Sequence, residues 1–326
     1  MTGLASAGSH HRGDLAARAS LLLVAVIWGL NWPAGRAALQ DLSPWALRVV
    51  SFGCATVILM AVARAGGISL HIEKGRPRYH LMVAGLLSTG GFGILAAFAQ
   101  LGTSTSRTAI CAYTMPIWAT LFARLVLGER LDRWRGAALL LGMAGLGVLL
   151  WPLWDQGMPA GVLFALGSAV SWAAGTVWLK RARIHGHPLA ITAWQLAAGT
   201  VAVTIGFLID GARIGQGLHL IPAIGLAYNT LIGSALAYLL WFQTVARLPA
   251  ATAGLGTLLV PVVGVLASVL LLGERPTAAD LAGFALIFIA ALCALGSTAG
   301  PRPAPRPAPA SIPAPASPPP TSGPAS

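Results

Sequence analysis

The chain has 326 residues, of which 56% are hydrophobic and only 9% charged, with a mean hydropathy of +0.75. Twenty-one basic and nine acidic side chains cannot coat a globule of this size, so a water-soluble fold is excluded and most of the surface must face lipid. The net charge of +12 does not indicate a nucleic-acid binder, because the basic residues stand in short clusters between apolar runs instead of on one face.

Crossing the hydrocarbon core takes about 20 mainly apolar residues. Ten segments meet that requirement: Ala19–Leu39, Trp45–Ala65, Leu81–Leu101, Thr108–Leu127, Gly136–Leu153, Ala160–Leu179, Leu189–Ile209, Ile221–Gln243, Ala251–Leu272 and Asp280–Ser297. They are too long for barrel strands and lack period-two alternation, so the expected fold is an all-α integral membrane protein. The first run follows Arg12 and Arg18 like a signal sequence, but it exceeds a signal h-region and reads as a retained first helix. With the N-terminus inside, sixteen Lys and Arg residues lie on the cytoplasmic side and five (Arg36, Arg48, Arg107, Arg213 and Arg275) lie outside. That bias places both termini in the cytoplasm. Cys54, Cys111 and Cys293 sit apart inside apolar runs and read as small buried residues, not as a disulfide or metal set.

Polar and aromatic residues within the spans are the informative ones, because polar groups in hydrocarbon are costly unless they face a cavity or a partner. On span 1, Trp28, Asn31 and Trp32 lie about one turn apart, and Pro33 follows them. Two readings fit: a pocket wall that stacks on a substrate and hydrogen-bonds it, or helix packing in which Asn31 bonds a neighbour. Arg48 opens span 2, where it either attracts a substrate carboxylate or snorkels to the interface. Gln100 and Gln243, near the ends of spans 3 and 8, read as solvated. Pro116 and Pro261, midway along spans 4 and 9, read as kinks at the wall of a central cavity. On span 6, Trp172 and Thr176 stand where span 1 has Trp28 and Trp32, and packing competes with a binding role there. Tyr228 and Asn229 lie deeper in span 8, suited either to a zwitterion or to interhelical bonding. Small residues spaced four apart (Gly85, Thr89 and Gly93; Gly161, Ala165 and Ala169; Gly233 and Ala237; Gly264 and Ser268) read as close-packing stripes.

The halves echo each other. Pro116 precedes Gly128-Glu129-Arg130 by the interval at which Pro261 precedes Gly273-Glu274-Arg275, Trp28 matches Trp172, and Arg48 matches Gln195. Five spans per half is an odd number, so the second copy enters from the opposite side as an inverted repeat. The boundaries follow: a cytoplasmic tail 1–18, a first five-helix repeat 19–154, a second 155–298, and a Pro/Ala-rich tail 299–326. Residues 301–326 hold half of the 22 prolines and read as extended or disordered.

Trp28-Gly29-Leu30-Asn31-Trp32, Ser43-Pro44 with Leu47-Arg48, and the two Pro…Gly-Glu-Arg stretches together resemble the drug/metabolite transporter superfamily, specifically its EamA-type ten-helix permeases. The resemblance covers roughly residues 19–297. It implies an inner-membrane carrier, commonly an exporter of amino acids or other small metabolites, with a cavity between the halves. Arg36 departs from the Lys that the family often has near the end of span 1.

All nine acidic residues fall in tails, loops or at span ends, so no mid-membrane carboxylate offers a shared proton and cation site. The expectation is therefore facilitated diffusion, exchange, or weak coupling at the cavity mouth, with neutral or zwitterionic cargo in place of cationic drugs. No nucleotide-binding glycine loop, metal-ligand pair or Ser/His/Asp set is present, so no enzyme, cofactor or metal is expected. The expected partners are a small-molecule substrate and membrane lipid, with no nucleic acid and a homodimer left open. Two alternatives stand beside the exporter: movement of lipid or lipid-linked sugar, and a non-transporting scaffold or sensor that uses the Pro-rich tail.

Overall fold

The computed structural model describes residues 3–128, 132–153, 157–215, 217–245 and 257–295. The 299–326 tail, and Glu129 and Arg130 of the first Gly-Glu-Arg, lie outside the described residues. Ten helical spans follow in order. They are α1 (Gly3–Ala38), α2 (Pro44–Ala65), α3 (Arg76–Gly102), α4 (Thr105–Leu127), α5 (Arg133–Leu150), α6 (Ala160–Ala182), α7 (Pro188–Ile209), α8, α9 (Leu259–Leu272) and α10 (Ala278–Leu295). α8 consists of three consecutive segments, Leu220–Ala227, Tyr228–Leu236 and Ala237–Val245. Eight spans are long and apolar enough to cross a membrane, and α9 and α10 are shorter apolar helices. The protein is an all-α, ten-helix membrane protein. Leu140, Ile209, Leu220 and Leu270 are each at least 75% exposed, an outer belt that only lipid can cover.

Local signals in the sequence fix the helix ends. Ser43 opens α2 by accepting the Ala46 N–H, with Pro44 in the first turn, and Ser104 does the same for α4 through Arg107. Thr277 and Asp280 cap α10 reciprocally, each side chain accepting the other's backbone N–H. Gly128 and Gly273 end α4 and α9 in the left-handed conformation, at φ 65° and 66°, which explains the glycine of both Gly-Glu-Arg stretches.

Four helices depart from the expected continuous spans. α4 breaks at Tyr113-Thr114, and Pro116 lies in the first turn of the segment that restarts at Met115. It thus opens a helix where its missing N–H costs nothing, instead of kinking one. Pro261 likewise falls in the first turn of α9, after a turn at Leu258. α3 and α8 each contain a π-helical stretch, Leu86–Gly91 and Tyr228–Leu236. Such stretches realign backbone carbonyls and cluster at functional sites.

Packing follows an exchange between the halves. α1 packs on α8 and α9, and α6 packs on α3 and α4; α2 meets the π stretch of α8, and α7 that of α3. α2 pairs with α7, α4 with α9, and α5 with α10, so each helix meets its own counterpart or the counterpart of a neighbour. Several small-residue stripes lie at these crossings. A Cβ on Gly85 would sit 2.6 Å from the Gln195 carbonyl oxygen, and one on Gly145 2.9 Å from that of Gly283. At one end of the bundle, Leu42 and Gly215 form an isolated antiparallel bridge.

Candidate functional site

The buried polar residues converge where α1, α2, α3 and α8 meet. Asn229, only 1% exposed, stands at the start of the π stretch of α8 and donates its amide to Asn31 Oδ1 at 2.9 Å. Asn31 fits because Gly233 faces it: a Cβ there would lie 2.1 Å from Asn31 Oδ1. Arg48 reaches in from the second turn of α2. Its Nε donates to the Gly93 carbonyl on α3 at 2.8 Å and its Nη1 to Asn229 Oδ1 at 3.4 Å. Gly93 leaves room for this, since a Cβ there would come 2.4 Å from Phe52 and 3.5 Å from Arg48 Cδ. The guanidinium also lies over the Phe52 ring, 5.5 Å from its centroid. Gln100 completes the set, and Arg36 Nη1 donates to its backbone carbonyl.

An aromatic wall flanks the cluster. Trp28 donates its indole N–H to the Gly233 carbonyl at 3.2 Å and packs on Tyr238 and Trp241, at centroid separations of 5.9 and 5.5 Å. The Tyr228 hydroxyl donates to the Ile27 carbonyl at 3.2 Å. The π stretch of α8 is thus held on both sides, by Trp28 from α1 and by Ser234 Oγ donating to the Asn229 carbonyl. On the equivalent pair, Ser171 of α6 donates to the Leu87 carbonyl in the π stretch of α3 at 2.8 Å.

Electrostatically the cluster is positive. Arg48 is 7% exposed, and its described partners are all neutral: two oxygens and a ring. A buried guanidinium that lacks a carboxylate bears a desolvation penalty that dipoles offset only in part. Burial thus overturns the snorkelling reading of Arg48. It also overturns the solvated reading of Gln100, which is 2% exposed and whose Oε1 has no partner among the described residues. Both errors share a cause. Closeness to a span end predicts solvation only when that end reaches water, and here α3 and α8 cover Arg48 while α1 covers Gln100.

The structure brings together Trp28, Asn31, Arg48, Tyr228 and Asn229. Trp32 turns the other way: it is 8% exposed and packs with Ala96, Ala109 and Ala112, against Gly264 of α9. Trp172 and Thr176 are half-buried on α6, whose main neighbours are α3 and α4, and among the described residues no hydrogen bond joins either to the cluster. Pro116 borders a narrow crevice between Tyr113, Ile117 and Ala290, away from Arg48. Pro261 is buried on α9 next to Val260, whose carbonyl approaches Gly29 of α1. The side chain of Gln243 lies outside the described residues.

Sequence reasoning missed a second polar assembly, at the end of the bundle that carries the α1–α2, α3–α4, α7–α8 and α9–α10 connections. Glu274 accepts the Thr105 and Ser106 backbone N–H groups at 2.6 and 2.8 Å and the Ser106 hydroxyl at 2.5 Å, capping α4 from the α9–α10 connection. Arg107 forms a two-pronged ion pair with Asp280, at 2.7 and 3.0 Å. At the same end Asp41 accepts the backbone N–H and ring Nδ1 of His219 at 2.6 and 2.9 Å, and Ser43 donates to the Arg213 carbonyl. The backbone N–H of His219 holds the Asp41 carboxyl below the usual carboxylate range. The only available signal was the second Gly-Glu-Arg, where an acid directly after a helix C-cap is free to reach another helix.

Comparison with known proteins agrees with this architecture. The sequence profile described as the EamA-like transporter family matches twice, over residues 15–151 and 159–296. The uncharacterized transporter YvbV of Bacillus subtilis is 30% identical, over 85% of this chain and 90% of that protein. A protein of Salmonella typhimurium named "probable amino-acid metabolite efflux pump" is 27% identical, over 82% of this chain and 90% of that one. A solved crystal structure superposes with a TM-score of 0.61 at 22% identity, covering 86% of this chain and 96% of the other, and shares the fold.

Proposed function

Because the chain belongs to the EamA-like transporter family, we propose that this multi-pass membrane transporter exports small neutral or zwitterionic metabolites such as amino acids. It does so by alternating access around the Arg48–Asn229–Asn31 cluster. The observation that carries the reading is that cluster: hydrogen-bonding groups from four helices and both sequence halves, walled by Trp28 and Tyr238 within an otherwise apolar bundle. The aromatic wall suits an apolar side chain and the amides and guanidinium suit a polar head, a division typical of small-molecule sites. The name of the Salmonella relative agrees with amino-acid cargo.

The exchange of contacts between halves supports two inverted repeats, since an inverted pair can swap its packing to open one face or the other. The excess of basic residues supports cytoplasmic termini in an inner membrane, which makes the Glu274 end the outer face. In this state the outer face is tied shut by Glu274, Arg107–Asp280 and Asp41–His219. The buried described acid, Asp280, is engaged by Arg107 and Thr277, which supports facilitated movement or exchange over proton drive.

Counterflow in proteoliposomes tests the reading, with a mixed amino-acid and metabolite pool read by mass spectrometry, with and without a proton gradient. Selective uptake without a gradient is expected, and Asn31→Ala and Trp28→Ala should reduce it. A strict gradient requirement would refute the facilitative mechanism. Movement of no soluble solute by correctly folded protein would refute the carrier of small metabolites and leave lipid movement or a scaffold.

A further inference from the structure

At the end of the bundle opposite Glu274, the α2–α3 and α6–α7 connections pack into one surface. Trp194 of α7 donates its indole N–H to the Leu70 carbonyl at 2.9 Å, and a Cβ on Gly186 would lie 3.0 Å from Ile72 Cδ1. Lys74, Arg76, Arg78, Lys180, Arg181 and Arg183 are all exposed on this rim, while Glu73 is the only acid within residues 66–80 and 178–190. Arg78 Nε donates to the Ile72 carbonyl at 3.0 Å and Arg181 Nη1 to the Val126 carbonyl at 3.3 Å, so both of these described partners are neutral.

Beneath the rim, where α3 meets α6, two ring nitrogens are buried without a partner among the described residues: Nδ1 of His80 and Nε1 of Trp178. The two rings lie 5.5 Å apart, tilted by 56°, and Tyr79, 62% exposed, meets His80 edge-on at 5.5 Å. Arg76 precedes His80 by four residues and Arg181 follows Trp178 by three, so each stands one turn nearer the rim on the same helix face. A buried donor without an acceptor is costly to keep, which points to a partner that arrives with something else. The indole only donates, and the imidazole donates from Nδ1 when its proton sits there, so the partner both rings can share is an acceptor. Guanidinium groups at the mouth favour an anionic one.

We infer that the α3–α6 crossing binds the phosphate of an anionic membrane lipid. Arg76 and Arg181 meet the charge at the rim, and the Trp178 and His80 nitrogens take phosphate oxygens once the exposed Tyr79 turns aside. A lipid is the source because the site lies one turn inside the ends of two spans, at headgroup depth. Trp and Tyr gather at that depth, and basic pockets between cytoplasmic helix ends take acidic headgroups. Because α3 belongs to the first half and α6 to the second, a bound headgroup braces one half against the other. The site is separate from the Arg48–Asn229–Asn31 cluster and does not depend on what the protein carries.

The test titrates delipidated full-length protein in a neutral detergent with short-chain phosphatidylglycerol, short-chain phosphatidylcholine and inorganic phosphate. Native mass spectrometry counts bound lipid, and a melting curve gives the unfolding midpoint. Wild type is expected to bind phosphatidylglycerol at least tenfold more tightly than phosphatidylcholine, and inorganic phosphate at equal concentration should not displace it. Arg76→Gln should weaken phosphatidylglycerol binding about fivefold, as the loss of one basic contact implies. Arg133→Gln, which removes a charge from the same end on α5, should leave it unchanged. Trp178→Phe keeps an aromatic ring and should weaken binding at least threefold without lowering the midpoint in detergent alone, since its N–H has no described partner to lose. Equal binding of the two lipids, or equal losses in Arg76→Gln and Arg133→Gln, would reduce the rim to diffuse attraction and overturn the site. Displacement by inorganic phosphate would overturn the lipid as its source. Unchanged binding in Trp178→Phe would overturn the role of the ring nitrogens. No readout here uses transport, so failure of the carrier reading and failure of this inference are told apart.

Discussion

Glu274 offers the sharpest test of the alternation. Its carboxylate takes three hydrogen bonds from the first turn of α4, and the residue is half-buried. Hydrogen bonds to a charged group are worth about 1.5–3 kcal/mol each, but partial exposure and water's competition reduce that. Loss of a helix N-cap costs about 0.5–2 kcal/mol. Glu274→Ala should therefore weaken the tie between α4 and the α9–α10 connection by about 2 kcal/mol, roughly 30-fold in an equilibrium that depends on it. Cys111 reports on that equilibrium, because it is fully buried on the same short helix that Glu274 caps. With Cys54 and Cys293 replaced by serine, Cys111 should react slowly with an impermeant thiol reagent added outside. Glu274→Ala should speed that reaction at least tenfold, and Glu274→Gln, which keeps one acceptor, should fall between. An unchanged rate in a variant with a lowered unfolding midpoint would refute the gating role. Labelling that rises only from the cytoplasmic side would refute the orientation.

The Asp41 carboxyl is depressed in the folded protein by the His219 N–H, so it contributes stability above its unfolded pKa, near 3.8, that is lost as pH falls through its lower folded value. Thermal unfolding of wild type and Asp41→Asn should differ most at neutral pH, and the gap should close below about pH 4. Gly233→Ala places a methyl 2.1 Å from Asn31 Oδ1, an overpacking of about 1–3 kcal/mol that should lower both the unfolding midpoint and counterflow. Gly147→Ala, whose methyl meets nothing within 4 Å, should leave both unchanged. Deleting residues 301–326 should leave counterflow at the wild-type rate, and loss of activity would favour the scaffold reading.

The ten spans were legible because length and apolarity suffice to identify a membrane helix, and their ends fell within a few residues where Ser43, Ser104 or Gly273 punctuates them. Which face of each helix meets which neighbour was less legible. Asn31 and Trp32 are adjacent in sequence, yet one faces Asn229 of α8 while the other packs among the alanines of α3 and α4. Span 1 is apolar on every side, so no moment marks its cavity face. Pro116 was read as a kink because a proline in an apolar run serves equally as a helix interior defect or a first-turn residue. Only the break at Tyr113-Thr114 decides between them. The π stretches left no mark in composition, because a register change of the backbone hydrogen bonds needs no particular side chain.

The two halves keep one scaffold while exchanging where the bulk sits. On the α1–α8 crossing, Asn31 occupies the space that Gly233 leaves; on the α6–α3 crossing, Gly175 leaves the space, and a Cβ there would meet Ser88 at 2.8 Å. Both pairs therefore approach too closely for a further Cβ, but only the first places an amide where it can bond Asn229. Arg48 likewise has Gln195 as its counterpart, and Arg107 and Asp280 have Thr252 and Arg135. A symmetric site would treat the two ends of a substrate alike, and symmetric closures would weight the two faces alike. Unequal chemistry on similar packing does neither: it gives the cluster a charged end and gives the Glu274 end of the bundle an Arg107–Asp280 ion pair that Thr252 and Arg135, the equivalent residues in sequence, cannot form. The difference between the two halves thus resides in a few polar residues and not in the helix packing that both share, and the alternating-access reading places the preference between states in those residues.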